Sequence, residues 1–306
     1  MMLLDGFFII VYIMKSYLPE RWANEPIFGN MWMPSIIEHD MILLENQLLF
    51  FVLEHLFNLA PASNHHYTYP NLFDLTICAM SGFVNMTKTP RTIDRSKVKH
   101  ILDLLRSCCI PLPLSPTKSL QDDLTSKRLS VTELHNARVK FKVGVSKSSC
   151  LLDLKFTNGV LEIQPLFIEG RTEPFFRNLI ALEQCHYPTF AHVTCYAVFM
   201  DYLINIPKDA GLLIHHEIIE NYLGDREEIS RFINNLFKDI ASDDQSSYFS
   251  GDYARLNAYC KMHRHKWMTS LRRDYFSSPW EIISFLADVL LLILTLIQSV
   301  CSLISL

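Results

Sequence analysis

The last segment of this 306-residue chain, from Ile282 to Leu306, carries a single charge, Asp288. As a helix it would measure about 37 Å at 1.5 Å per residue, whereas the hydrocarbon core of a bilayer is about 30 Å thick. The sequence therefore predicts a C-terminal single transmembrane helix over residues 280–306. The alternative, a buried helix of a globular core, is typical of apolar runs of only about 10 to 14 residues.

The rest of the chain has the composition of a folded body with a core of its own. The net charge of −4 leaves no basic excess, so no nucleic-acid partner is expected. The eight cysteines are scattered without a C-x-x-C pair and are predicted to be mostly reduced and buried. The segment Met1 to Met14 is apolar, but it contains Asp5 and lacks a basic start, which disfavours a secretory signal.

Helical periodicity dominates the first third of the chain. Apolar residues from Ile36 to Leu56 recur every three to four positions, which predicts one amphipathic helix that ends near Pro61. Further helices are predicted at about 71–84 and 96–108. The Pro-, Ser- and Thr-rich stretch 109–128 forbids a regular helix and is predicted to be an exposed linker or mobile loop.

A change to alternating periodicity predicts a β insert at 139–168. Apolar and polar residues alternate within 139–145 and within 152–156. Asn158-Gly159 is a two-residue turn signal before Val160. We expect a small antiparallel sheet, mostly a hairpin. Helices are predicted to resume at 173–186, 194–205, 209–223, 225–240 and 251–276. The predicted fold is mainly α over 1–276, with this antiparallel β insert, followed by the transmembrane helix.

No segment carries a complete catalytic motif. His216-Glu217 resembles the start of a zinc-protease helix, but Glu220 stands where the second histidine is needed. A scattered set of cysteines and histidines has spacings that fit no established zinc pattern, and packing in the core explains these residues better. The set consists of Cys185, His186, His192, Cys195, Cys260, His263 and His265. We therefore predict no catalytic residue, no metal and no cofactor, and a protein that is not an enzyme.

Four stretches together resemble the plant family called domain of unknown function 247 (DUF247, UPF0481-like). They are Met2 to Ile10, Asp40 to Phe51, Phe175 to Cys185 and Asp274 to Trp280. Their order and spacing extend the resemblance over essentially the whole chain. Family members usually carry residues upstream of the first stretch, so the chain resembles a shortened form that lacks the N-terminal part of the domain. Phe7 and Leu49 also depart from the family pattern, which commonly has cysteine and proline there.

The resemblance implies a membrane-associated plant protein without an established enzymatic activity. Some grass relatives are associated with self-incompatibility, which suggests recognition as a class of function. We predict a membrane-anchored, non-enzymatic component that interacts with another protein and with the lipid bilayer. The alternatives are a membrane-bound enzyme of unknown reaction and a truncated, non-functional family member.

Charge next to the predicted span indicates its orientation. Basic residues precede it and none follows it: Lys261, Arg264, Lys266, Arg272 and Arg273. The positive-inside rule then places the body in the cytosol. We expect the protein to lie in a membrane, namely the plasma membrane.

Two polar sets are the candidate sites. The first is a predicted polar network inside apolar helices, which either clamps helices together or contacts a ligand or partner: Glu45, Asn46, Gln47, Arg177, Asn178 and Glu183. The second lies on one arc of the predicted membrane helix and is expected to mediate self-association or partner binding: Ser284, Asp288, Thr295, Gln298, Ser299 and Ser302. The alternative for the second set is that its residues merely reach the headgroups.

Overall fold

Short helices make up most of the N-terminal half of the protein. The computed structural model describes residues 2–59, 69–84, 93–110, 129–144, 151–236, 248–275 and 279–304. Side chains cap several helix starts: Asn71 accepts the N–H of Asp74, and Ser130 and Glu133 form a capping box. The helices are α1 (Met2–Ser16), α2 (Met33–Ile42), α3 (Phe50–Leu59), α4 (Leu72–Ala79), α5 (Ser81–Val84), α6 (Ile101–Cys109) and α7 (Val131–Asn136). Single 3-10 turns lie at Pro19–Trp22, Leu44–Asn46 and Arg95–Lys97.

The strands form two small sheets. The first contains β1 (Lys140–Val143), β2 (Leu154–Thr157) and β3 (Val160–Ile163) in the order β1-β3-β2, and the second pairs β4 (Leu166–Ile168) with β5 (Ile219–Asn221). The predicted hairpin is present between β2 and β3, where Asn158 and Gly159 have positive φ angles of 50° and 79°. Both residues tolerate this left-handed conformation, which suits a two-residue hairpin turn.

The prediction of a small antiparallel sheet is wrong, because the sheet is mixed. Strand β1 pairs in parallel with β3, with Phe141 opposite Leu161, and β4 pairs in parallel with β5. Alternating apolar residues indicate that a segment is a strand with one buried face, but they carry no information about the direction of its neighbour.

The C-terminal half returns to helices. They are α8 (Thr172–His186), α9 (His192–Leu203), α10 (Pro207–His215), α11 (Arg226–Leu236), α12 (Ser250–Tyr275) and α13 (Pro279–Ile304). The chain divides into two compact units, residues 1–254 and residues 255–306. The core of the first unit is rich in aromatic rings: Phe176 faces Tyr196, whose ring lies 6.3 Å from that of Phe249. The prediction of a mainly helical protein is confirmed.

Two predicted helices are shorter than their periodicity indicates. The helix predicted from Ile36 to Leu56 is broken, because Leu43 and Gln47 are extended and separate α2 from α3. The helix predicted over 209–223 ends at His215, because Glu217 has a φ of 58° and the following residues form β5. In both places contacts with distant segments replace the local helical hydrogen bonds.

The prediction of a transmembrane helix at 280–306 is also wrong. Among the residues that the structure describes, no helix combines the length and the apolarity that a membrane crossing requires. Asp288 and Gln298 interrupt the apolar residues of α13, and charged or amide side chains are costly inside a bilayer. The predicted loop at 109–128 lies outside the described residues from position 111 onward.

Candidate functional site

Helix α1 is apolar on two faces, and only one of them belongs to the core. Gly6, Ile10 and Ile13 are buried on the face that packs beside α3 and α4. Gly6 allows this close packing, since a Cβ added there would lie 2.8 Å from Cδ1 of Leu56. The inner face therefore holds α1 against the body.

The other face of α1 carries four exposed large side chains, Leu4, Phe7, Phe8 and Val11, which we call the outer stripe. Their positions i, i+3, i+4 and i+7 fall within an arc of about 100° and match the seam by which helices pack together. Leu4 is 74% exposed, and Phe7, Phe8 and Val11 are each more than 40% exposed. A helix that is apolar all round is normally covered on all sides. The outer stripe is thus a surface suited to a partner.

Polar contacts fix the C-terminal end of α1 and so hold the outer stripe in place. The hydroxyl oxygen of Tyr12 lies 3.2 Å from the carbonyl oxygen of Pro34 and 3.1 Å from Oε1 of Glu38, and its one proton is shared between these two acceptors. Nζ of Lys15 lies 2.6 Å from the carboxylate of Glu25. Burial raises the pKa of Glu38, and the hydrogen bond from Tyr12 and the charge of Arg171 partly oppose that shift.

A second feature, which we call the buried polar centre, joins α6, α8 and α9. Glu183 of α8 is fully buried, and its Oε1 accepts Nε–H of Arg106 at 2.8 Å. The same carboxylate accepts the backbone N–H groups of Val193 and Thr194 and the hydroxyl of Thr194, at 2.8 to 3.1 Å. These N–H groups belong to the first turn of α9, where a negative charge is favourable.

Arg106 is equally well satisfied inside the protein. Its Nη2 donates to the carbonyl oxygen of Phe190 at 2.6 Å, and its guanidinium lies 4.2 Å from the centroid of the Tyr187 ring. The hydroxyl of Tyr187 donates to Asp103 at 2.9 Å. Burial, and then Asp103, raise the pKa of Tyr187 to about 12. The charges of Glu183 and Arg106 are therefore both used within the fold.

His192 belongs to the buried polar centre, but its ring nitrogens, unlike the charged groups of Glu183 and Arg106, make no hydrogen bond to the described residues. His192 is 8% exposed. The ring of Tyr248 meets it edge-on at 4.8 Å between centroids. Burial, and the positive charge of Arg106, lower the pKa of His192 to about 4. The imidazole is therefore neutral at pH 7.

The structure distributes the six residues of the predicted polar network over separate places. Gln47 donates to the carbonyl oxygens of Met41 and Leu43, and its Oε1 accepts the N–H of Leu102 at 3.0 Å. Asn178 accepts the N–H of Leu44 at 2.8 Å. These two amides hold the break between α2 and α3 against α6 and α8. A ligand or partner role for them stays a prediction.

The other four members of the predicted polar network do not contact Gln47 or Asn178 through hydrogen bonds in the described residues. Glu45 and Asn46 are exposed, and Arg177 is exposed and pairs with Glu173 one turn earlier at 2.8 Å. Glu183, as described above, belongs to the buried polar centre. Four of the predicted α13 interface residues, Asp288, Thr295, Gln298 and Ser299, are exposed, whereas the side chains of Ser284 and Ser302 are outside the described residues. Their role in self-association stays a prediction.

The geometry offers no metal centre among the residues that the structure describes. A zinc-protease site would need Glu217 inside a continuous helix, but α10 ends at His215 and Glu217 has a left-handed backbone. Two members of the cysteine and histidine set considered as zinc ligands lie in different environments, because Cys185 is exposed, whereas His192 is buried.

A small cleft beside β4 contains Arg171 but leaves little room for a ligand. It encloses about 40 Å³ and is lined mainly by apolar residues, among them Phe83, Leu166 and Phe175. The guanidinium of Arg171 pairs with Glu169 and lies 3.5 Å from Oε2 of Glu38. The charged group of the cleft is therefore already neutralised from within the protein.

Sequence reasoning missed the outer stripe and Arg106. The spacing of Leu4, Phe7, Phe8 and Val11 is visible in the sequence, but periodicity alone does not show which apolar residues of a helix stay exposed. Arg106 stands in α6, far along the chain from Glu183, and no local pattern marks it as the partner.

Comparisons with known proteins agree on one family. The model of DUF247, described as a plant protein of unknown function, matches residues 1–294. A UPF0481 protein of Arabidopsis thaliana is 28% identical, over all of this chain and 68% of the relative. A putative UPF0481 protein of the same plant is 24% identical, over 55% of this chain and 32% of the relative. No solved structure matches the chain.

Proposed function

The chain belongs to the DUF247 family of plant proteins of unknown function, and we propose that it acts as a protein-interaction module whose partner binds the outer stripe of α1. The match to the family model over residues 1–294 confirms the family resemblance found in the sequence. The single observation that carries the proposal is the exposed seam of Leu4, Phe7, Phe8 and Val11 on a helix whose opposite face is buried.

The size of this surface supports the proposal. From the exposed fractions, the outer stripe presents on the order of 400 Å² of apolar area, within the range of the largest patches on monomeric proteins, which are often functional. Aromatic residues are enriched in the cores of protein interfaces, and Phe7 and Phe8 stand at the middle of the stripe. Its shape and chemistry suit a protein partner.

The rigidity of α1 also supports the proposal. Gly6 brings α1 close to α3, and the contacts of Tyr12 and Lys15 hold its C-terminal end. A surface that is already ordered loses less conformational entropy when it binds. The buried polar centre, in contrast, directs its charged groups at one another, which favours a structural role for Glu183 and Arg106.

The proposal is tested by affinity capture of the full chain from plant tissue with three baits: wild type, Phe8→Glu, and Phe51→Glu as matched control. Phe51 of α3 is also an exposed phenylalanine, at 66%, but it lies on a different helix. We expect at least one protein that the wild type and Phe51→Glu retain and that Phe8→Glu loses.

Each recovered protein is then purified and its affinity for the three baits is measured by calorimetry. Direct binding that Phe8→Glu weakens on the order of 100-fold supports the proposal. Equal binding by all three baits, or no direct binding, contradicts it.

A further inference from the structure

The outer stripe is symmetric about its own midpoint. Its midpoint lies between Phe7 and Phe8. When a second copy of α1 runs antiparallel about this midpoint, Leu4 lies at the level of Val11 of the second copy, and Phe7 lies at the level of Phe8 of the second copy. Two copies of α1 that pack antiparallel about this midpoint therefore place apolar side chains opposite apolar side chains throughout. Such a self-complementary patch is what an isologous dimer interface requires.

We propose that the outer stripe is a homodimer interface, in which α1 packs antiparallel against α1 of a second copy of this chain. This inference rests on the proposed function, since it names the partner of the same surface. The large residues Phe7 and Phe8 would lie at the centre, where binding energy concentrates in protein interfaces. The smaller contact of Leu4 with Val11 of the second copy would occur twice, once at each end.

The available area is sufficient for a dimer. Leu3 is 63% exposed and lies next to the arc of the outer stripe. With Leu3 included, two copies would bury on the order of 1,000 Å² in total, which is about the minimum for a specific interface. Side chains that flank the stripe add to this area. The estimate points to a dimer of moderate affinity, whose population depends on concentration.

Charge does not oppose the antiparallel arrangement. The stripe itself contains no charged residue, so the reversal brings no like charges together at its centre. Asp5 lies on α1 outside the stripe and is exposed, where water can solvate it. Lys15 already pairs with Glu25 in the same chain. The charged groups thus form a rim around an apolar centre, as in other protein interfaces.

The first test measures the mass of the purified full chain by sedimentation velocity over a wide range of concentration. We expect a dimer that Phe8→Glu weakens on the order of 100-fold, because the two-fold axis introduces two charges into one apolar centre. Phe51→Glu is the matched control and should dimerise like the wild type. Because α13 also exposes apolar side chains, the difference between the two variants carries the test rather than dimer formation by itself.

The second test determines the register and does not depend on a disruptive substitution. In a Cys185→Ser background, which removes an exposed thiol, we expect the Leu4→Cys/Val11→Cys double variant to form an intermolecular disulfide under mild oxidation. The single variants Leu4→Cys and Val11→Cys should not form this disulfide. In the proposed dimer, position 4 lies opposite position 11 of the second copy and far from position 4 of the second copy. Peptide mass spectrometry identifies the cross-link between positions 4 and 11.

A wild-type chain that is monomeric at all concentrations overturns the homodimer, as do equal dimerisation of the Phe8→Glu and Phe51→Glu variants and equal cross-linking of the single and double cysteine variants. The proposed function fails separately. If the chain is monomeric but a different purified protein binds the outer stripe in a Phe8-dependent way, the interaction module stands with another partner. If neither occurs, both proposals are contradicted.

Discussion

The buried polar centre and the outer stripe of α1 invert the usual distribution of polar and apolar groups. The buried polar centre places the charges of Glu183 and Arg106 inside the protein, where both are hydrogen-bonded. The stripe places Leu4 and two phenylalanines outside, at 43% exposure or more. Buried charges are tolerated where the fold itself supplies their partners, whereas exposed apolar groups indicate that a partner comes from elsewhere. Substitutions in the two regions should therefore affect different measurements.

The largest expected effect is on the buried polar centre. Glu183→Gln removes the negative charge and leaves Arg106 buried without a counter-ion, which should reduce the free energy of unfolding by about 3 to 5 kcal/mol. Urea denaturation monitored by circular dichroism measures the loss. The control, Glu173→Gln, breaks the exposed pair with Arg177 and should cost less than about 0.5 kcal/mol. Equal losses of unfolding free energy in the two variants would show that the buried pair stabilises the fold no more than the exposed pair does.

A somewhat smaller effect is expected from pH, through His192. Its pKa is about 4 in the folded protein and 6.5 ordinarily, so between these values the unfolded chain binds more protons than the folded one. Stability should therefore fall as the pH falls from 6.5 to 4, by about 3 kcal/mol from this residue. The difference between wild type and His192→Leu, measured by urea denaturation across that range, isolates the contribution. Parallel pH profiles would contradict it.

The inner face of α1 should respond to added volume. Gly6→Val would place new methyl groups against Leu56, which is buried, and should cost about 2 kcal/mol. Gly170→Val is the matched control, because no atom lies within 4 Å of a Cβ added there, and it should change stability by less than about 0.5 kcal/mol. Urea midpoints of the two variants provide the comparison. Similar midpoints would mean that α1 can move away from α3 without cost.

The smallest effect on stability is expected at the outer stripe itself. Phe8→Glu should change the free energy of unfolding by less than about 0.5 kcal/mol when measured at concentrations where the chain is monomeric. Its effect should appear in association instead. A loss of about 2 kcal/mol or more in the monomer would show that Phe8 contributes to the body, and the contrast between the two regions would then disappear.

Sequence patterns predicted the local elements well where packing agreed with them. Helices α8, α9 and α11 and the hairpin of β2 and β3 lie close to their predicted positions, because apolar periodicity and the Asn158-Gly159 turn are local signals. The apolar stretch of α13 predicted a helix too, but the inference of a membrane crossing did not hold in the described residues. Length and periodicity describe a helix and not its surroundings.

The sequence by itself determined helices α8, α9 and α11, the hairpin of β2 and β3, and the apolar character of the segment that forms α1. Only the tertiary structure decided that α2 ends at Ile42, because the N–H of Leu44 donates to Asn178, far along the chain. It likewise decided that β1 runs parallel to β3 and that Arg106 is the partner of Glu183. Local patterns arise from neighbouring residues along the backbone, whereas these pairings depend on which distant segments the packed core brings together.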